Sequence, residues 1–135
     1  MRYHLDTSTV IEIIRFRQDT LLKFELTKLE DMAISSIVAH ELWAGTSSQK
    51  LGPRSTKSLE QLLSMLTIVP FGAAAAETAG LLERELSRKG TQIGVFDSLI
   101  AGHALSEGAT LVTQNVKDFR RVPGLLVADW SKTLD

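Results

Sequence analysis

The chain has 135 residues, 15 basic and 16 acidic side chains, a net charge of −1 and 44% hydrophobic residues. That length and apolar content suit one domain, residues 1–135, with a real core, and the balanced charge excludes a uniformly basic nucleic-acid binder, leaving any such contact to a local patch or to recruited cations. Cys is absent, which excludes disulfides and thiolate metal sites; no apolar run reaches the roughly 18 residues of a membrane helix, and MRYHLD lacks the apolar stretch of a signal peptide, so a cytoplasmic protein is expected.

In chain order, short apolar strands are expected at Tyr3–Leu5, Met32–Ile34, Thr67–Val69, Thr110–Val112 and Leu125–Val127. Between them lie helical stretches. Thr9–Leu29 reads as two helices broken near Phe16–Asp19, and Ser36–Ser48 as one helix opened by Ser35 or Ser36. Arg54–Met65 follows the breaker Gly52-Pro53. Ala73–Lys89 stops at Gly90, and Phe96–Ser106 stops at Gly108. Strands alternating with helices predict an α/β fold, with a mostly parallel sheet of four or five strands covered on both faces.

Four carboxylates stand in unusual places. Asp6 ends the first strand and is followed by Thr7, Ser8 and Thr9. It is either a helix cap or a ligand-facing acid at a strand C-terminus, where open α/β sheets place their sites. Glu41 in SSIVAHELWAG shares a helix face with Ile37, Val38, Ala44 and Gly45. A carboxylate in an apolar stripe is costly unless paired, hydrogen-bonded or metal-bound. Asp97 opens an apolar face formed by Ile100, Ala101, Ala104 and Leu105, where the helix dipole also favours an acid. Ala101, Gly102 and Ala104 point to close packing on a neighbour. Asp118 follows a strand and the polar run Thr113, Gln114, Asn115. Taken alone, that segment is an ordinary turn. In a parallel sheet, however, Asp6, Asp97 and Asp118 can converge at one edge. Gathered carboxylates repel one another, and a hard cation such as Mg²⁺ or Mn²⁺ relieves that repulsion.

The marks LDTST, ISSIVAHELWAG, IGVFDSLIAGHAL, GATLVTQNVKDFRRVPGL and the closing VADW run through nearly the whole chain. In that order and spacing they resemble the PIN-domain ribonucleases, most closely the VapC toxins of bacterial toxin–antitoxin pairs. The resemblance implies a PIN-like three-layer α/β/α fold and a Mg²⁺-dependent endoribonuclease, with Mn²⁺ as a substitute. It places the family's acidic quartet on Asp6, Glu41, Asp97 and Asp118. Asp6 and Asp97 would be the primary metal ligands, with Asp118 ligating directly or through water. Glu41 would position the attacking water, or a second ion when substrate is present. The products implied carry a 5′-phosphate and a 3′-hydroxyl.

Two departures stand out. Ser8 occupies a slot where the family often has Asn, and Asn115 one where many relatives carry an acid. This leaves Asp118 as the fourth acid, with Ser8, Thr113 and Asn115 as the residues that orient the carboxylates. His4, His40 and His103 read as structural. Candidate RNA phosphate contacts are Lys117, Arg120 and Arg121 around Asp118; Lys50, Arg54 and Lys57 read rather as a solvated loop.

The resemblance also implies a homodimer and inhibition by a small VapB-like antitoxin in a hetero-oligomer. Val10, Ile11, Ile14, Leu21, Leu22, Phe24, Leu26 and Leu29 give the two early helices more large apolar residues than a core needs, and the surplus is expected to form a groove for an antitoxin helix. The substrate is expected to be structured RNA, transfer RNA among the options. A catalytically inactive module of the same fold, binding RNA or protein, is the alternative. A receiver domain would need an adjacent acid pair where Leu5-Asp6-Thr7 stands, and a haloacid-dehalogenase-type phosphatase an acid in place of Ser8.

Overall fold

In the computed structural model, which describes residues 2–45 and 53–132, five parallel strands form one sheet in the order β3-β2-β1-β4-β5. They are β1 (Tyr3–Leu5), β2 (Met32–Ser35), β3 (Thr67–Val69), β4 (Thr110–Val112) and β5 (Val127–Ala128). Tyr3 is level with Met32 on one side and Thr110 on the other. The three inner strands carry the dry centre. Leu5, Met32, Ala33, Ile34, Leu111 and Val112 are fully buried, whereas Ile68 on the edge strand β3 is exposed. This is the pattern of a sheet covered on both faces.

The helices are α1 (Thr7–Ile14), α2 (Gln18–Leu26), α3 (Ser36–Gly45), α4 (Pro53–Met65), α5 (Ala73–Lys89), α6 (Val95–Ser106) and α7 (Val116–Phe119). Right-handed crossovers send α1–α4 to one face and α5–α7 to the other. The packing agrees, with α1 against α2, α3 and α4, and α5 most extensively against α6.

Several boundaries differ from expectation for local reasons. α1 starts at Thr7 rather than Thr9 because Asp6 takes the N-cap position, its backbone carbonyl accepting from Thr9 and Val10. The break from α2 falls at Arg15–Arg17, where Phe16 adopts a left-handed φ of 56°. α2 stops at Leu26, and Leu29–Asp31 forms a separate 3-10 turn. The end of the expected Ser36–Ser48 helix lies outside the described residues beyond Gly45. β5 lies two residues later than expected because Gly124, at φ 81°, completes a turn first. The Asp118 segment forms a helical turn, α7, rather than a bare loop.

One contact sets the spacing of a whole layer. A Cβ added to Gly102 on α6 would stand 2.5 Å from both Cα and Cβ of Ala79 on α5. The two helices therefore touch backbone to backbone, which only glycine permits here. The small-residue stretch on α6 packs against a helix, with Ala101 and Ala104 fully buried.

Candidate active site

Strand β1 leads through α1 toward β2, and β4 leads through α7 to β5 on the opposite side. Between β1 and β4 the strand order reverses, which opens a crevice at their carboxyl ends. Asp6 immediately follows β1 and Thr113 immediately follows β4. Thr113 Oγ1 donates to Asp6 Oδ2 at 2.6 Å, and both residues are buried. Although Asp6 occupies the N-cap position, its side chain makes no capping bond to the helix interior. Burial pushes its carboxyl above the ordinary range, against the opposing pull of Thr113, the Thr7 amide and Ser8.

Each hydroxyl after Asp6 has a separate task. Thr7 Oγ1 donates to Glu41 Oε1 at 2.8 Å and so ties α1 to α3. Ser8 Oγ lies 3.4 Å from Asp6 Oδ2 and from Thr113 Oγ1, and accepts from the Gln114 amide at 3.1 Å. Thr9 Oγ1 donates to the Val112 carbonyl at 2.9 Å, locking α1 onto β4. Thr7 and Thr9 were absent from the expected site residues. Their signal was the polar run itself, too short to span a helix face yet wholly hydroxylic.

On the other side of the crevice, Asn115 Nδ2 donates to Asp118 Oδ2 at 3.1 Å, and the Asn115 amide donates to Thr113 Oγ1 at 3.0 Å. Asp97 sits in the first turn of α6. Its carboxyl is pushed up to about 6, first by burial and then by the negative charges of Asp6, Glu41 and Asp118. Asp97 therefore lies within electrostatic reach of the other three acids. None forms an ion pair with Lys, Arg or His among the described residues. Among those residues, too, no three His, Asp or Glu side chains close around one point as a finished metal cage. The donors are all oxygens, the set that hard divalent cations prefer.

The histidines divide. His4 is buried, with Nε2 3.2 Å from Glu107 Oε1, and His103 is buried with Nδ1 2.8 Å from Ser35 Oγ. Burial lowers the pKa of both, and their rings meet edge to face. His40 is exposed and stacks on Phe96, the residue before Asp97, with ring centroids 6.0 Å apart.

Of the expected phosphate contacts, Lys117 and Arg120 are exposed on or next to α7. Arg121 instead donates through Nη1 to the Gln92 carbonyl at 3.0 Å. Arg54 and Lys57 are exposed on α4, and Lys50 lies outside the described residues.

The PIN-domain family model matches residues 3–125. The chain belongs to the PIN-domain family. Within it the chain groups with VapC proteins. It is 42% identical over 134 residues to Ribonuclease VapC2 of Rickettsia felis, covering 98% of this chain and 100% of that one. It is 35% identical over 130 residues to the tRNA(fMet)-specific endonuclease VapC of Salmonella typhimurium, covering 96% and 98%. The fold matches the DNA-bound VapBC structure from Salmonella typhimurium with a TM-score of 0.88 at 36% identity, covering 96% of this chain and 98% of that chain. The parallel α/β architecture is thus the PIN fold, with the crevice between β1 and β4 at its topological switch point.

Proposed function

We propose that this chain is the toxin of a toxin–antitoxin pair, an endoribonuclease of the VapC kind that cleaves transfer RNA in the cytoplasm with Mg²⁺ or Mn²⁺ as cofactor. One observation carries the reading. Asp6, buried at the switch point and held by Thr113, has no cationic partner among the described residues, and its charge joins those of Glu41 and Asp118 in acting on Asp97. The name of the Salmonella typhimurium relative supports transfer RNA as substrate.

Asp6, Asp97 and Asp118 would hold the cation. A divalent cation bound there supplies charge neutralisation and acidifies water at the phosphorus. The chain's own residues do the positioning. Thr113 fixes the Asp6 carboxylate, Asn115 fixes Asp118, and Thr7 fixes Glu41 at a place where it can orient the attacking water. Thr7 and Asn115 each engage one oxygen of their carboxylate. The carboxylate oxygens suit Mg²⁺, an ion that retains several waters.

The apolar residues of α1 and α2 support the partner. Val10, Ile14 and Phe24 enter the core, while Ile11 and Leu21 pack at its margin. Leu22, Leu26 and Leu29 remain exposed, Leu26 at 77%, beside Phe16 at 72%. A cavity of about 430 Å³ between Phe16, Leu21 and Leu22 suits an apolar side chain of a VapB-like antitoxin.

The test is cleavage of a transfer RNA fraction by antitoxin-free protein, unaltered or Asp6→Asn, with Mg²⁺ or with EDTA. Cleavage only by the unaltered protein with Mg²⁺ is expected. Equal cleavage by both proteins would remove Asp6 from the chemistry, and no cleavage of any RNA would favour an inactive binding module.

A further inference from the structure

Beside the acidic crevice, α7 and the chain after β5 enclose a cavity of about 450 Å³, lined by Gln114, Val116, Lys117, Arg120, Asp129 and Lys132. Three cations thus share one hollow. None of them has an ion pair among the described residues. Asp129 also lines the hollow, its Oδ1 accepting from the amide and the hydroxyl of Ser131, so three cations face one carboxylate. The Lys132 carbonyl accepts from Lys23 Nζ, which pins this segment to α2. A lining with a net positive charge favours an anionic occupant.

The cavity is joined to the acidic centre through Gln114. Its amide donates to Ser8 Oγ, beside Asp6, and its side chain donates to Glu12 at 3.1 Å. The same turn of helix that carries Lys117 carries Asp118. An extended anion spanning the crevice would therefore reach the hollow with a neighbouring charge.

We propose that Lys117, Arg120 and Lys132 form a cradle for a backbone phosphate of the RNA strand adjacent to the bond that is cut. The assignment rests on the ribonuclease reading. It adds Lys132, which is remote from the motifs, and sets aside Arg121, whose guanidinium serves the Gln92 loop. Phosphate contacts of this kind position a strand without reading its sequence.

The experiment uses the full chain. RNA affinity is measured against salt for the Asp6→Asn protein, alone and with Lys117→Gln, Arg120→Gln and Lys132→Gln combined. Steady-state cleavage is measured for the otherwise unaltered protein with the same triple change. In the cradle, each lost contact lowers the slope of log affinity against log salt by about 0.7, so a fall of about 2 is expected. KM should rise at least tenfold with kcat nearly unchanged. Replacing Lys132 by Arg should preserve the slope, and Arg121→Gln should leave it unaltered while lowering Tm. An unchanged slope for the triple variant, with cleavage intact, would overturn the cradle alone. So would a triple variant that still binds RNA normally but no longer binds an acidic peptide, which would give the hollow to a protein partner. Absence of cleavage by the unaltered protein would remove the ribonuclease reading and this assignment with it.

Discussion

Helix α6 contains two opposite regimes within a few residues. At Gly102 it is pressed so closely on Ala79 that a single methyl group has no room. At Asp97, one and a half turns earlier, it carries a carboxylate whose neighbours are like charges, not partners. The middle is optimised for packing and the N-terminal end is not, yet the first serves the second. A rigid contact in the middle holds a repulsive end in place. Stability concentrated beside a destabilising cluster is how folds maintain strained sites.

The contrast can be broken from either side. Asp6→Asn or Asp97→Asn should cut RNA cleavage by roughly a thousandfold, about 4 kcal/mol of barrier, without loss of fold; wild-type turnover by either variant would show that the charged end has no catalytic purpose. Gly102→Ala should lower unfolding free energy by upwards of about 2 kcal/mol, read from denaturant melts. Adding Ala79→Gly should restore only part, because the Ala79 backbone is as close as its methyl. Full restoration would mean that the helices can part cheaply.

Smaller effects sharpen the charged end. Thr113→Val should weaken apparent Mg²⁺ affinity about tenfold, seen as a higher Mg²⁺ midpoint for cleavage, with Thr113→Ser close to wild type. An unchanged midpoint would show that the 2.6 Å bond to Asp6 does not tune the site. The smallest effect concerns pH. Asp97 is raised from the ordinary 3.8 to about 6, so the folded protein keeps a proton that the unfolded chain releases. Stability in EDTA should be fully retained below about pH 4, fall as pH rises toward 6, and level off above. The full difference corresponds to about 3 kcal/mol, and screening at a partly exposed group reduces it to about 1. Asp97→Asn should therefore be about 1 kcal/mol more stable than wild type at pH 7 and equal to it near pH 4. A flat melting profile would mean that burial and the neighbouring acids together perturb Asp97 little.

Much of this was legible from residues. Short apolar runs between helical stretches marked every strand, because buried parallel strands read as uninterrupted apolar segments. The acids were legible as misfits on otherwise apolar ground. The pairing of β1 with β4 was not, since adjacency across more than a hundred residues leaves no local trace. Nor was the division of labour among Thr7, Ser8 and Thr9, whose partners Glu41, Thr113 and Val112 are supplied by other elements. Nor were the contacts of the basic residues legible, as Arg121 and Lys132 show. Arg121 stands three residues from Asp118 and donates to the Gln92 carbonyl, while Lys132, farther along the chain, lines the hollow with Lys117 and Arg120.

The bond between Thr113 and Asp6 joins residues 107 positions apart. It cannot form until β4 has docked against β1. A ribosome adds about 5–20 residues each second, so a nascent chain would spend about 5–20 seconds with Asp6 made and no Thr113 to hold it. The Asp6 centre is thus left unassembled until β4 has been made. By then α1 and α2, which precede β4 in the chain, have already been made.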